Sequence, residues 1–127
     1  MDASVNSLNW FEIPAKDIAR AKTFYENIFG ITMETMDMMG MKMAFFPAEP
    51  SSGKASGGLC ESPYHTPSQD GAIIYLNANP DLSAVTGKIE AAGGQVAMPK
   101  TKISDEIGYM AFFIDSEGNR VGLHSQQ

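Results

Sequence analysis

The chain has 127 residues, 43% of them hydrophobic, which is enough for one domain with its own core. Fifteen acidic residues against nine basic ones give a formal net charge of −6, and this balance argues against nucleic acid as a partner. The only cysteine, Cys60, excludes an intrachain disulfide and favours a reducing, cytoplasmic location. No stretch has the pattern of a secretory leader or the roughly 20 apolar residues of a membrane span, so we expect no membrane partner.

The first predicted unit is a strand followed by a helix. The apolar residues between Trp10 and Ile13 suit a pleated strand, and Pro14 ends it because it lacks a backbone donor. Asp17 is a good N-cap, and the apolar residues after it recur on one helical face. Gly30 supplies the left-handed residue that ends a helix.

A methionine-rich hairpin is predicted next. Alternation at 32–35 and 41–46 indicates two strands, and six of the nine methionines lie between Met33 and Met43. Two interpretations are open, a soft ligand pocket or ordinary packing, and packing is the commoner origin of such a cluster. The segment Ala48–Ser56 has no apolar anchor, so we expect the least ordered internal segment there, acting as a lid.

The remaining chain reads as a second set of similar elements. Gly58–Glu61 is a predicted strand, and Pro63–Gly71 is the best candidate for a linker between two halves. The elements predicted after it are a strand at Ala72–Asn77, a helix at Asp81–Ala92, a short strand at Gln95–Met98, a polar connection at Pro99–Gly108, a strand at Tyr109–Ile114, a turn at Asp115–Asn119 and a strand at Arg120–His124.

An internal repeat organises these elements. Five residues of the first helical unit recur as similar residues at a constant separation of 64 positions: Asp17, Ile18, Ala21, Tyr25 and Gly30 correspond to Asp81, Leu82, Val85, Ile89 and Gly94. A repeat of half the chain predicts two copies of one βαβββ module, about 8–61 and about 72–125, that superpose within a single domain spanning 1–127.

Three segments together resemble the vicinal oxygen chelate superfamily, also called the glyoxalase/bleomycin resistance/dioxygenase fold. They are DIARAKTFYENIFG near the start, the repeat unit ending in EAAGG, and DSEGNRVGLHS at the end. The resemblance implies an α+β fold in which two βαβββ modules form a curled, cup-shaped mixed sheet with helices outside. It also implies a binding site inside the cup, a small-molecule ligand and a homodimer.

Members that use a metal hold it with residues, typically His and Glu, on the first and last strands of each module. Carried over by spacing, these positions are Trp10, Gly58, Ile74 and Gly122. None can ligate a metal, and a shift by one residue to Asn9 and Ile73 does not repair the site. We therefore expect no metal and no cofactor in the cup. Gly58 and Gly122 would instead leave room for an organic ligand, with Trp10 and Ile74 as apolar walls.

Strand alternation adds polar groups to the same face. If Trp10 faces the cup, Glu12 does too, and Cys60, Arg120 and His124 follow from the two glycines. Glu12 is either a general base or ligand anchor, or a structural partner of Arg120 or of a backbone amide.

Cys60 and His124 form a candidate nucleophile and base, although a buried thiol is more often a small hydrophobe. Trp10 could stack on a flat ligand or simply fill the space of the missing metal. His65 lies among prolines, so we expect it to be exposed to solvent.

Two classes of function follow. The first is a binding protein that holds an apolar or aromatic molecule in the cup. The second is an enzyme, a lyase, isomerase or dioxygenase, either metal-free with Glu12 as base or with displaced metal ligands. Whether the protein is an enzyme stays open at this point. The candidate catalytic residues are Glu12 and His124, and the candidate ligand-binding residues are Trp10, Glu12, Gly58, Cys60, Ile74, Gly122 and His124.

Overall fold

The computed structural model describes all 127 residues, and each half of the chain forms one βαβββ unit. The first unit consists of β1 (Trp10–Pro14), α1 (Ile18–Phe29), β2 (Glu34–Met38), β3 (Met41–Phe45) and β4 (Ser56–Glu61). The second consists of β5 (Tyr75–Asn77), α2 (Ser83–Ala92), β6 (Gln95–Ser104), β7 (Gly108–Ile114) and β8 (Arg120–Ser125). The predicted α+β fold with two βαβββ modules is confirmed.

Both units have the same sheet topology. The first sheet has the order β1-β4-β3-β2 and the second β5-β8-β7-β6. In each sheet the first and last strands of the unit pair in parallel, and the other pairs are antiparallel. No strand of one sheet pairs with the other, so the expected curled sheet is interrupted between the halves.

Helix α1 follows the predicted capping pattern. The Asp17 side chain accepts a hydrogen bond from the Arg20 amide at 3.1 Å, as an N-cap should. Gly30 has φ of 64° and its N–H bonds the Glu26 carbonyl, which closes the helix.

Helix α2 departs from the exact repeat. Leu82 occupies the N-cap without a side-chain bond, while the Asp81 carboxylate accepts from the Ser83 amide and from Lys100. Gly93, with φ of 105°, ends the helix one residue before Gly94, the repeat counterpart of Gly30. Gly94 serves close packing instead, because a Cβ there would lie 2.7 Å from the Phe24 ring.

Strand β6 is longer than predicted. It runs from Gln95 to Ser104 and includes Pro99, which the sequence placed in a polar connection. β6 is the edge strand of the second sheet, where a missing donor can face solvent, and its pairing with β7 is interrupted by register shifts on both sides of Pro99. β5 is shorter than predicted because only Tyr75–Asn77 pair with β8.

One hydrophobic core joins the helix-facing sides of both sheets. The Phe24 ring of α1 lies 6.0 Å from that of Phe113 on β7, and Tyr25 also contacts Phe113. Both α1 residues and Phe113 are fully buried. The two modules are therefore held together through their helices, and the opposite faces of the sheets stay open.

The turn between β7 and β8 reaches across to the first module. Glu117 accepts the backbone amides of Lys16 and Asp17 at 2.8 Å each and pairs with Arg20 at 2.7 Å. Burial favours the neutral form of Glu117, but the bonds from Arg20, Asp17 and Ser116 outweigh burial and lower its pKa.

Asp115 and Asn119 extend this contact. Asp115 accepts the Tyr25 hydroxyl at 2.7 Å, and Asn119 donates to the Pro14 carbonyl at 2.7 Å. Burial, and then the Asp115 carboxylate, raise the pKa of Tyr25 well above its ordinary value, so its hydroxyl remains a donor.

In the predicted lid, Ala48–Ser56, residues 48–55 are exposed, whereas Ser56 is half-buried and begins β4. Their mobility stays a prediction. No helix is long and apolar enough to cross a membrane.

Replacing Glu117 by Gln should lower the free energy of unfolding by about 1.5–3 kcal/mol at pH 7, because a buried charge-assisted acceptor is lost. Urea denaturation measures this. Since folding lowers the pKa of Glu117, its contribution is complete above the pKa of the unfolded state and is lost as pH falls through the folded value. The difference in free energy of unfolding between wild type and Glu117→Gln should therefore shrink as pH falls through that acidic range. The exposed Glu106 has no side-chain partner, so Glu106→Gln is the matched control; an equal loss in both variants would contradict the assignment.

Candidate functional site

The open face of the first sheet carries an acid among aromatic rings. Trp10 and Glu12 lie on the side of β1 opposite the core residue Ile13. The centroid of the Trp10 ring lies 5.8 Å from that of Phe45. Gly58 and Cys60 on β4 complete the set, with Glu12 paired to Gly58 and Cys60 paired to Met43. We call the face that carries Trp10, Glu12, Phe45, Gly58 and Cys60 the first open face.

Methionines extend the first open face. Met36 pairs with Met43 and Met38 with Met41 across β2 and β3, so all four side chains share the face of Phe45. Met36 and Met38 are exposed, whereas Met33 is in the core. Because Met33 and Met43 are buried, ordinary packing describes part of the cluster, and a soft ligand pocket formed by the exposed methionines stays a prediction.

The second open face is also aromatic. The rings of Tyr75 and Phe112 lie 5.7 Å apart, and the Arg120 guanidinium lies 4.6 Å from the Phe112 centroid. Gly122 pairs with both Tyr75 and Phe112, which puts all three on one side of the sheet. His124 belongs to this face, and its Nε2 bonds the Ile107 carbonyl at 2.6 Å.

The predicted space above the two glycines is occupied. A Cβ on Gly122 would lie 2.7 Å from the Tyr75 ring, and one on Gly58 would lie 2.8 Å from the Ala44 carbonyl and 3.3 Å from the Phe45 ring. The expectation of free room at these positions is wrong, because the Tyr75 ring takes the volume at Gly122, and the Ala44 carbonyl and the Phe45 ring take it at Gly58.

The structure puts Tyr75, and not Ile74, beside Gly122. Ile74 points the other way and packs against the hydrophobic core. The strand position facing the cup is thus one residue later than the sequence spacing gave. The four positions that usually hold the metal are then Trp10, Gly58, Tyr75 and Gly122, and this set offers no carboxylate, imidazole or thiolate that fits a metal ion.

Glu12 has a partner that sequence reasoning missed. His65, from the segment between the modules, lies with Nε2 2.8 Å from Glu12 Oε1, while Ser62 Oγ bonds the other ring nitrogen at 2.6 Å. The Trp10 indole N–H approaches the second carboxylate oxygen at 3.4 Å. Cys60 belongs to the same cluster: one ligand atom each from Glu12, Cys60 and His65 lie within 4.8 Å of one another.

Three expectations about these groups are therefore corrected. The side chain of His65 is only 18% exposed, because it folds back onto β1 instead of projecting from the linker. Glu12 pairs with His65 and not with Arg120, which lies over an aromatic ring. The histidine beside Cys60 is His65 and not His124. The Ser-x-x-His spacing was the available signal, since a serine hydroxyl three residues earlier can orient an imidazole.

The Cys60 thiol is fully buried. Burial raises its pKa, and the nearby Glu12 carboxylate raises it further. The thiol is thus protonated at neutral pH and is a poor nucleophile as it stands.

Two cavities lie between the modules. One of about 390 Å³ is mostly apolar and is bounded by Phe11 and Phe46 on one side and by Ile74 and Tyr75 on the other. A second, of about 200 Å³, includes Glu12 and Arg120. A larger hollow of about 760 Å³ lies beneath residues 1–9 and contains no candidate site residue.

The sequence model of the Glyoxalase/Bleomycin resistance protein/Dioxygenase superfamily matches residues 7–123 of the chain. The chain belongs to this superfamily. The resemblance drawn from the sequence is confirmed over nearly the full length.

Several relatives and solved structures of this superfamily are similar to the chain. CFP32 of Mycobacterium tuberculosis, named for an inferred glyoxylase activity, is 32% identical over 91% of the chain and 44% of its own length. DauV of a Streptomyces species, named an anthracycline biosynthesis protein, is 30% identical over 86% of the chain and 43% of its own length. The chain thus spans less than half of these curated relatives.

The antibiotic-binding protein TnmS3, also from a Streptomyces species, shares the fold with a TM-score of 0.65 at 21% identity, over 99% of this chain and 100% of that one. At this identity the likeness shows the fold alone.

The stacking of Tyr75 over Gly122 gives a test of the second open face. Gly122→Ala should lower the free energy of unfolding by about 1–3 kcal/mol, because the new methyl group overlaps the ring. In a Tyr75→Ala background the same change should cost much less. Thermal or urea unfolding of the four proteins measures the coupling. Gly87→Ala, where a Cβ meets nothing within 4 Å, is the control; an undiminished cost in the Tyr75→Ala background would contradict this packing.

Proposed function

We propose that the protein binds a flat, largely apolar organic molecule on the open faces of its sheets, without a metal at the four usual positions. The single observation that carries the proposal is that aromatic rings stand at two of those positions and glycines at the other two. Trp10 and Tyr75 are the two aromatic residues, and the Tyr75 ring also lies over Gly122.

The exposed rings favour stacking on a planar ligand. Trp10 and Tyr75 are 43% and 48% exposed, which is unusual for large rings that already have an aromatic neighbour. Ring pairs contribute about 0.5–1.5 kcal/mol beyond the area they bury. Met36 and Met38 add a deformable apolar surface that can adapt to the outline of a ligand.

The first open face also carries a charged group that can orient a bound ligand. The Glu12 carboxylate is 33% exposed and lies beside Trp10, so it can pair with an amine or hydroxyl of a ligand stacked on that ring. The names of two similar proteins support such a ligand class. DauV is an anthracycline biosynthesis protein and TnmS3 an antibiotic-binding protein. Anthracyclines combine a planar ring system with an amino group.

A homodimer is part of the proposal. The open faces carry exposed Trp10, Met36, Met38 and Tyr75, and apolar groups of this size on a small protein call for a covering partner. A two-fold related copy would shield them and enclose the ligand at the same time.

One observation favours an enzyme as the second candidate. Glu12 and His65 form a carboxylate–imidazole pair at 2.8 Å next to the aromatic surface. Such a pair can take a proton from a bound carbonyl compound, so an isomerase or lyase with Glu12 as general base would use the same site. Measured turnover of a carbonyl substrate that is lost in Glu12→Gln would favour this candidate over simple binding.

An amine-bearing anthracycline should bind in equilibrium dialysis with saturation at one molecule per chain. Tyr75→Ala should weaken binding about 2- to 10-fold, the equivalent of one ring pair. Glu12→Gln should weaken it about 10- to 100-fold if the carboxylate meets the amine, and fluorescence of Trp10, the single tryptophan, should change in parallel.

The matched control for that titration is Tyr64→Ala, which removes a 90% exposed ring remote from any aromatic contact. Equal affinity of all three variants for the anthracycline would indicate non-specific binding to the protein surface and would contradict the proposed site.

The dimer is testable without a ligand. Light scattering at micromolar concentration should give about twice the chain mass of 13.7 kDa. Met36→Lys should shift the protein toward monomer because it places a charge on the covered face. Lys54→Ala, on the exposed loop, should leave the mass unchanged. A monomer in the wild type would count against a covered face.

A further inference from the structure

Glu12, Cys60 and His65 bring three different donor atoms to one place. Their carboxylate, thiol and imidazole atoms lie within 4.8 Å of one another. The backbone fixes two of the three, since β1 and β4 are paired strands with Pro14 opposite Cys60 and Glu12 opposite Gly58. The third comes from the segment that connects the two modules.

The histidine is already oriented as a ligand would be. Ser62 Oγ lies 2.6 Å from its Nδ1, which leaves Nε2 facing Glu12. A metal-bound imidazole usually donates its other ring N–H to such a partner. The second oxygen of Glu12 meets the Trp10 indole N–H at 3.4 Å, so the first oxygen is directed at the cluster.

The thiol has no other role that the structure reveals. Cys60 is fully buried, and no hydrogen bond engages its Sγ. A divalent cation between the Cys60 sulfur and the Glu12 carboxylate is attracted to both groups.

We propose that Glu12, Cys60 and His65 bind one Zn²⁺ ion, with a fourth coordination position open to water or a ligand. Thiolate, imidazole and carboxylate are the donors that zinc prefers, and three protein ligands with one open position are typical of its reactive sites. One thiolate and one carboxylate balance the charge of the ion, which suits a partly buried site.

This site differs from the usual one in the superfamily. Glu12 and Cys60 each lie two residues beyond the usual positions, Trp10 on β1 and Gly58 on β4, and His65 lies outside both modules. Bond lengths of about 2.0–2.3 Å place the donor atoms of a tetrahedral zinc site about 3.3–3.6 Å apart. One side chain must therefore move by about 1 Å, and Glu12, whose side chain is 33% exposed, has room to do so. The inference goes beyond the proposed binding function and does not depend on it.

Titration of chelator-treated protein with Co²⁺, as a spectroscopic substitute for Zn²⁺, tests the site. Wild type should bind one equivalent of Co²⁺ and show a sulfur-to-cobalt charge-transfer band together with ligand-field bands of tetrahedral intensity. Adding Zn²⁺ should displace the cobalt and abolish these bands. In His65→Ala and Glu12→Gln, the charge-transfer band should be absent when one equivalent of Co²⁺ has been added. Cys60→Ala should lose the charge transfer altogether, and circular dichroism checks that each variant is folded. Ser62→Ala should weaken Zn²⁺ binding about 10- to 100-fold, as loss of a bond that orients a ligand does.

His124→Gln removes the other histidine and is the matched control, which should bind metal as wild type does. Weak, multiple or non-saturating uptake that the Cys60 and His65 variants share with wild type would mean an adventitious ion only, and would overturn the inference. Anthracycline binding, measured separately in the presence of chelator, tells failure of the metal site from failure of the proposed function.

Discussion

The buried carboxylate of Glu117 is the contact on which the arrangement of the two modules depends. It projects from a turn of the second module and accepts two backbone amides and an arginine of the first. An amide at the start of a helix has no partner within the helix, so a carboxylate there satisfies donors that the helix leaves unpaired. Because Tyr25 and Pro14 are bonded from the same turn, the β1–α1 connection is fixed at both its backbone and its side chains.

This contact decides which surfaces remain for function. Once the helices of both modules share a core, apolar residues on the helix-facing sides of the strands are buried, and alternation sends every second residue to the open side. The rings and methionines found there contribute nothing to that core. A ligand or a partner on these faces would shield the exposed side chains from water, which is the physical reasoning behind the proposed binding function.

The sequence predicted most of the fold but only part of the candidate site. The helix of the first module, its Asp17 cap and its Gly30 stop follow from local rules, and the repeat supplied the topology of both halves. His65 could not be found in this way, because its position depends on how a proline-rich connection folds back onto β1. Alternation also fails where a strand begins irregularly: only one residue of offset separates Tyr75, on the open face, from Ile74, which packs against the core.

Trp10 links the two properties proposed for the open face. Its ring makes a tilted contact with that of Phe45, and its indole N–H reaches the carboxylate of Glu12, so the same side chain borders the apolar surface and the donor cluster. Movement of Glu12 toward a cation would weaken or break a bond of 3.4 Å and free the ring to turn about its side-chain torsions. A ligand stacked on Trp10 would in turn restrict that movement. If the cluster binds a cation and the aromatic surface binds a ligand, the two events would be energetically coupled, and by linkage each would alter the affinity of the other by the same factor.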